Sequence, residues 1–159
     1  MYERVVKRIL DIVLSALGLL MLSWVYLLIP IAIYIDDPGP IFFTQKRIGR
    51  GKTTFTISKY RTMKISTPHD TPTHLLKDPG QYITRVSRIL RKSSLDELPQ
   101  ILDIFFGKMS IIGPRPALWN QDNLIVERDK YGANDVKPGL TGGPRSMVEM
   151  RLKYLSKQN

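Results

Sequence analysis

IVLSALGLLMLSWVYLLIPIAIYI, residues 12–35, runs for 24 residues without a charge, between Asp11 and the pair Asp36-Asp37. A helix needs about 20 mainly apolar residues to cross the hydrocarbon core of a bilayer, so this run is long enough. It is too long for the apolar part of a signal peptide, and no small-residue cleavage site follows it. Membrane association is therefore the first expectation, and two arrangements satisfy it. Arg4, Lys7 and Arg8 precede the run, while Lys46, Arg47, Arg50 and Lys52 follow it. Positive charge marks the cytosolic side, so basic residues on both flanks favour a re-entrant helix that bends inside one leaflet and returns. Pro30 lacks an amide donor and Ser23 can offer its hydroxyl to a freed carbonyl, which makes them the candidates for the break. The other arrangement is a tilted single pass with a proline kink.

Beyond the run, Asp36-Asp37-Pro38-Gly39-Pro40 is a turn cluster. Ile41-Phe42-Phe43-Thr44 reads as a short strand. Thr54 to Tyr60 alternates polar and apolar as a second strand, and Ile48-Gly49-Arg50-Gly51-Lys52 supplies the turn of a β-hairpin. Residues 66–80 read as a loop punctuated by Pro68, Pro72, Pro79 and Gly80. His69 and His74 in that loop share no helix face and are read as solvated side chains rather than metal ligands. Thr84 is an N-cap candidate for a helix with Val86, Ile89 and Leu90 on one face and Arg85, Arg88 and Lys92 on another. Such a helix suits a lipid interface, and equally a charged solvated face over a protein core.

Lys and Arg number 24 against 14 acidic residues, a net charge of +10, which favours phosphate-bearing partners. The basic residues are spread over several segments beside an apolar anchor and no nucleic-acid motif accompanies them, so nucleic acid is not expected as a partner. Cysteine is absent, which excludes disulfide frameworks, thiolate catalysis and cysteine-based zinc sites.

The segment with chemical promise is Ser93-Ser94-Leu95-Asp96-Glu97-Leu98-Pro99-Gln100, followed by the apolar residues 101–106 and Gly107. Ser94 and Glu97 have the spacing of a capping box, although Pro99 suits a helix that begins near it rather than at Leu95. Either start leaves Asp96 near a helix N-terminus, where the dipole favours an ionised carboxylate. An ionised carboxylate can attack phosphorus and form a mixed anhydride, and a second carboxylate beside it can help hold magnesium. The octapeptide by itself is equally a pair of helix-capping acids.

Its neighbours in order decide between these. Residues 7–11 read Lys-Arg-Ile-Leu-Asp, and residues 37–49 Asp-Pro-Gly-Pro-Ile-Phe-Phe-Thr-Gln-Lys-Arg-Ile-Gly. Lys59-Tyr60-Arg61-Thr62-Met63, Leu90-Arg91-Lys92 and the Asp-Glu segment come next. Residues 109–116, Met-Ser-Ile-Ile-Gly-Pro-Arg-Pro, and 137–142, Lys-Pro-Gly-Leu-Thr-Gly, complete the series. Together these blocks closely resemble the bacterial sugar transferase family, the small monotopic phosphoglycosyl transferases, over most of residues 3–142. The resemblance implies transfer of a sugar 1-phosphate from a UDP-sugar to undecaprenyl phosphate, the first membrane step of surface-glycan assembly. It implies Asp96 as the nucleophile and Glu97 as its partner in magnesium binding or in activating the acceptor, with Lys59, Arg61, Arg91 and Arg115 meeting phosphates. Arg115 lies between Pro114 and Pro116, whose rings restrict the backbone that aims it.

The resemblance further implies a protein of the bacterial inner membrane whose catalytic part faces the cytoplasm. The expected architecture is α+β and mainly helical: a re-entrant membrane helix over 1–36, then a catalytic region over 37–159 with a small hairpin and interfacial amphipathic helices. Two departures accompany it. Family members commonly carry Ser-Pro at the helix break, whereas Trp24 follows Ser23 here. After Gly142 the family usually continues Trp-Ala-Gln-Val-Asn-Gly-Arg; this chain reads Gly143-Pro144-Arg145-Ser146-Met147 and ends at Asn159. An atypical, shortened C-terminus is the resulting expectation, and a catalytically silent membrane-bound scaffold is the alternative function.

Overall fold

The computed structural model describes residues 2–67 and 79–142. His69, His74 and the departure after Gly142 lie outside these residues. Helices α1 (Tyr2–Met21) and α2 (Ser23–Asp36) come first, then strands β1 (Phe42–Ile48) and β2 (Thr54–Tyr60). Helix α3 (Arg85–Ser93), helix α4 (Gln100–Phe105), strand β3 (Ser110–Ile112), helix α5 (Asp122–Asp129) and strand β4 (Gly139–Thr141) follow. Helix and strand are mixed, with β1–β2 as a small antiparallel hairpin and β3–β4 as a second pair.

The apolar run is broken at Leu22, where φ −99° and ψ 9° leave the helical region and α1 and α2 meet at a 60° bend. The Leu22 carbonyl restarts the helix by accepting from the amides of Val25 and Tyr26 at 2.9 and 3.1 Å. Ser23 is the first residue of α2. Pro30, the other residue singled out for a break, lies inside α2, which continues through it. Among the described residues no single helix is long and apolar enough to cross a membrane; the bent pair passes that test by length and composition together. On α2 only one stripe, Val25, Ile29 and Ile33, is buried, a spacing of four that marks one helix face. Trp24, Leu27, Leu28, Ile31, Tyr34 and Ile35 are each more than half exposed.

The hairpin has its second strand where the alternation puts it. The first extends to Ile48 instead of ending at Thr44. Pairing overrides the weak strand preference of Gln45, Lys46 and Arg47 here: the Ile48 amide also bonds the Ala117 carbonyl at 2.9 Å. Gly51 turns the hairpin with φ +64°, a left-handed conformation that glycine adopts without a Cβ penalty.

The chain divides into two compact units. One draws on the residues up to Gly18, Gln45–Ile57 and the chain from Gln100; the other on Leu19–Thr44 and Ser58–Pro99. In the first, Ile57, Ile104 and Met109 form the core, with Phe55, Ile111 and Leu140 packed against them. Strands β3 and β4 pair in parallel, Ser110 opposite Gly139 and Ile112 opposite Thr141. A parallel pair needs a long crossover, and residues 113–138 with α5 provide it. The Lys-Arg-Ile-Leu-Asp block fastens α1 here. Arg8 donates to the carbonyls of Ile104 and Phe105, both at 2.7 Å, and so satisfies acceptors at the end of α4. Buried Asp11 accepts from Ser110 Oγ at 3.1 Å and the Ile111 amide at 2.9 Å, fixing the start of β3.

In the second unit α3 packs on α2, and Thr84 caps α3 as its sequence suggests, accepting from the Ser87 amide. Phe42 stacks on buried Tyr60 at 5.4 Å between ring centroids, and Tyr26 tilts against Tyr60 at 6.5 Å.

Candidate active site

Asp96 and Glu97 lie on a single 3₁₀ turn, Leu95–Glu97, in the second unit. The capping box suggested by Ser94 and Glu97 does not form. Ser94 instead closes α3 in the left-handed conformation, φ +57°, and its side chain makes no cap hydrogen bond. Its carbonyl accepts from the Glu97 amide at 3.2 Å, while the Glu97 side chain goes elsewhere. Left-handed backbone at a residue with a Cβ costs of order 1 kcal/mol. That cost is borne at the residue that turns the chain from α3 into the Asp-Glu turn. Helix α4 begins at Gln100, so the expectation of a start near Pro99 holds.

Lys59 at the end of β2 donates from Nζ to Glu97 Oε1 at 2.7 Å, with both side chains less than one-fifth exposed. Arg91 on α3 donates from Nε to Thr62 Oγ1 at 2.9 Å. Its charge also reaches Asp96. Asp96 thus sits among Lys59, Glu97 and Arg91. Burial pushes its carboxyl above the usual aspartate range; Lys59 opposes the shift, Glu97 adds to it, and the backbone and Arg91 oppose it. A helix N-terminus by itself would shift the carboxyl in the opposite direction. Desolvation is the largest effect, and Lys59, the backbone and Arg91 do not offset it. A carboxylate of raised basicity is a better nucleophile once ionised.

Lys59 is the main charge opposing the effect of burial on Asp96. In Lys59→Met the opposing charge is gone, Asp96 shifts further up, and the acidic limb of the pH–rate profile moves to higher pH. Measured kcat/KM should fall more at pH 6 than at pH 8. An acidic limb in the same place would show that Lys59 does not act on Asp96.

Two anchors here are not evident from the sequence. Tyr26 of α2 donates its hydroxyl to the Leu98 carbonyl at 2.6 Å, tying the chain just after Glu97 to the apolar helix. Arg61, expected at phosphates, is buried and bonded to both the carboxylate and the carbonyl of Asp37. That ion pair, together with Asp36 accepting from the Val86 amide at 3.3 Å, closes the turn after α2. The one signal for it was Asp36-Asp37 opposite a basic block. Arg115 lies in the first unit, exposed, and buried Arg128 donates to its carbonyl. The structure thus brings Asp96, Glu97, Lys59 and Arg91 together and gives Arg61 to Asp37.

The pattern of the bacterial sugar transferase family matches residues 2–156, and the chain belongs to that family. It is 42% identical over 139 residues to the UDP-glucose:undecaprenyl-phosphate glucose-1-phosphate transferase of Caulobacter vibrioides, covering 86% of this chain and 51% of that protein. The enzyme of the same name from Xanthomonas campestris is 39% identical over 144 residues, 89% of this chain and 30% of its own length. The UDP-N-acetylgalactosamine-undecaprenyl-phosphate N-acetylgalactosaminephosphotransferase of Aeromonas hydrophila is 33% identical over 143 residues, 86% of this chain and 33% of its own length. The chain therefore spans about half or less of each of these relatives.

Proposed function

We propose that this chain transfers a sugar 1-phosphate from a UDP-sugar to undecaprenyl phosphate, beginning a surface glycan. The observation that carries the reading is the half-buried Asp96–Glu97 pair with Lys59 and Arg91 around it. In the first step a carboxylate oxygen of Asp96 bonds to the sugar-bearing phosphorus. The bond from that phosphorus to the bridging oxygen breaks, and UMP leaves with the electron pair. In the second step an oxygen of undecaprenyl phosphate bonds to the same phosphorus, the anhydride bond breaks, and the Asp96 carboxylate is restored. Lys59 and Arg91 supply positive charge where phosphate oxygens gather, and Lys59 holds Glu97 in place. Tyr26 keeps the turn against α2.

Magnesium fits this site. Among the described residues no cluster of three or more His, Asp or Glu forms, so a cage made by protein alone is not available. Magnesium commonly binds through one or two carboxylates plus substrate phosphates, and Asp96 and Glu97 are such a pair. When bound there it offsets the charge of the donor's pyrophosphate.

The two helices of the apolar run support a re-entrant membrane anchor: bent by 60°, apolar on their exposed faces and basic on both flanks. Exposed Ile89 between Arg85, Arg88 and Lys92 suits α3 to the lipid interface, where a lipid-linked acceptor and a soluble donor meet. With this anchor the catalytic region faces the cytoplasm at the bacterial inner membrane. The chain has no cysteine, so single cysteines replacing Tyr2 and Asn120 report topology directly. Both should resist an impermeant maleimide in intact spheroplasts and react after lysis. Labelling of one alone in intact cells would replace the re-entrant anchor by a single pass.

Relatives matching the same share of this chain carry different sugar names, so the matched region argues for the reaction and leaves the sugar to experiment. Purified full chain with magnesium, undecaprenyl phosphate and a panel of radiolabelled UDP-sugars should release UMP and form a labelled glycolipid with at least one donor. Release of UMP from none of them would favour the silent scaffold.

A further inference from the structure

In the first unit three basic side chains, Arg8, Arg50 and Lys7, and one carboxylate, Asp11, lie near enough to Lys137 for their charges to act on it. Lys7 lies one helical turn before Asp11 on α1, and Arg8 is fixed by the Ile104 and Phe105 carbonyls. Asp11 reaches β3 through Ser110 Oγ and the Ile111 amide. Ser110 pairs with Gly139, two residues after Lys137. From the other side Arg50 donates Nε to the Asp135 carbonyl at 3.0 Å, and the Gly51 amide bonds the Asn134 carbonyl at 2.7 Å. Three stretches distant in sequence are thereby fastened around the entrance to β4, with Lys137 between them.

Lys137 is the anomaly in this group. Arg8 and Arg50 each have carbonyl acceptors, and Asp11 has two donors. Among the described residues nothing accepts a hydrogen bond from Lys137 Nζ, and its side chain is partly buried. Burial lowers its affinity for a proton; Arg8, Arg50 and Lys7 lower it further, and Asp11 alone opposes them. A basic cluster held this tightly, with one carboxylate already engaged, has positive charge to spare. Hydrogen bonds fix the backbone that carries these side chains.

We infer that Lys137, Lys7 and Arg50 form a binding site for a phosphate-ester anion in the first unit. A phosphate carries up to two charges and several acceptor oxygens, matching an ammonium that has no acceptor among the described residues beside two further cations. Such an anion could be the headgroup of an anionic lipid, since Lys7 stands five residues before the apolar run, or a soluble phosphate ester. The chemistry is shared; the source is what the experiment separates. The inference stands on the first unit alone and is independent of the transfer reaction.

Full chain with its lysines reductively ¹³C-methylated, reconstituted in nanodiscs, allows each amine to be titrated by NMR, and Lys137→Gln identifies the Lys137 signal. In neutral phosphatidylcholine discs this amine should titrate below the ordinary lysine range. One arm adds inorganic phosphate or UMP to those discs, and the other substitutes phosphatidylglycerol for half of the lipid. An upward shift of the Lys137 titration in either arm supports the site and names its source. Lys137→Gln should then weaken binding of the effective probe about tenfold. No shift in either arm overturns the inference, whether or not the protein transfers sugar phosphate.

Discussion

Asp96→Asn is expected to lower sugar-phosphate transfer at least about a thousandfold while leaving the protein in the membrane fraction. Asparagine has the size of aspartate, so the Leu95–Glu97 turn can be retained, along with the Lys59–Glu97 pair and the Tyr26–Leu98 bond. What disappears is an ionised oxygen able to bond to phosphorus. Loss of activity alone would also follow from a damaged fold, so a second measurement is needed. With donor labelled in its sugar and no acceptor present, the wild-type chain should become labelled, and the Asp96→Asn chain should not. Glu97→Gln should slow transfer without preventing labelling, because in the proposed reaction Asp96 and not Glu97 is the nucleophile. Turnover of Asp96→Asn at the wild-type rate would remove Asp96 from its role.

Much of the architecture is legible in local sequence signals. Period-two alternation marks β2, the Thr84 cap marks the start of α3, and Pro99 marks where α4 begins. Each is decided by residues within a few positions of one another. What these local signals do not disclose has a different cause. Of the two residues offered for the break, α2 continues through Pro30, and the interruption falls at Leu22, directly before Ser23. Folding sets Arg61 against Asp37, 24 residues earlier, a contact that its own motif does not announce. The raised affinity of Asp96 for its proton comes from burial, which a linear motif does not contain. The Asp96–Glu97 pair stands out because its residue types are unusual together; its electrostatic state depends on the surroundings. Likewise the Met109–Pro116 and Lys137–Gly142 blocks stand out as motifs without disclosing that they lie side by side.

That pairing carries the second large effect. A Cβ built on Gly139 would lie 2.1 Å from the Gly113 nitrogen and 2.5 Å from its Cα and carbonyl oxygen. All three are backbone atoms, so no side chain can swing aside, and relief requires β3 and β4 to separate. Separation would strain the Ser110 amide bond to Pro138 and the Gly139 amide bond to Pro114, each 2.9 Å, beside the fully buried Met109. Gly139→Ala should therefore destabilise the chain by about 3 kcal/mol or more. For a chain of this size that corresponds to a fall in Tm of roughly 6–12 °C, readable by thermal unfolding in detergent micelles. Gly51→Ala is the matched control: its φ is +64° and a Cβ there meets nothing within 4 Å, so only the left-handed backbone is penalised. That penalty is about 1 kcal/mol. The comparison separates close approach from conformational freedom as the reason for glycine at 139. If Gly139→Ala lost no more stability than Gly51→Ala, the two motif blocks would not approach as closely as their parallel pairing requires.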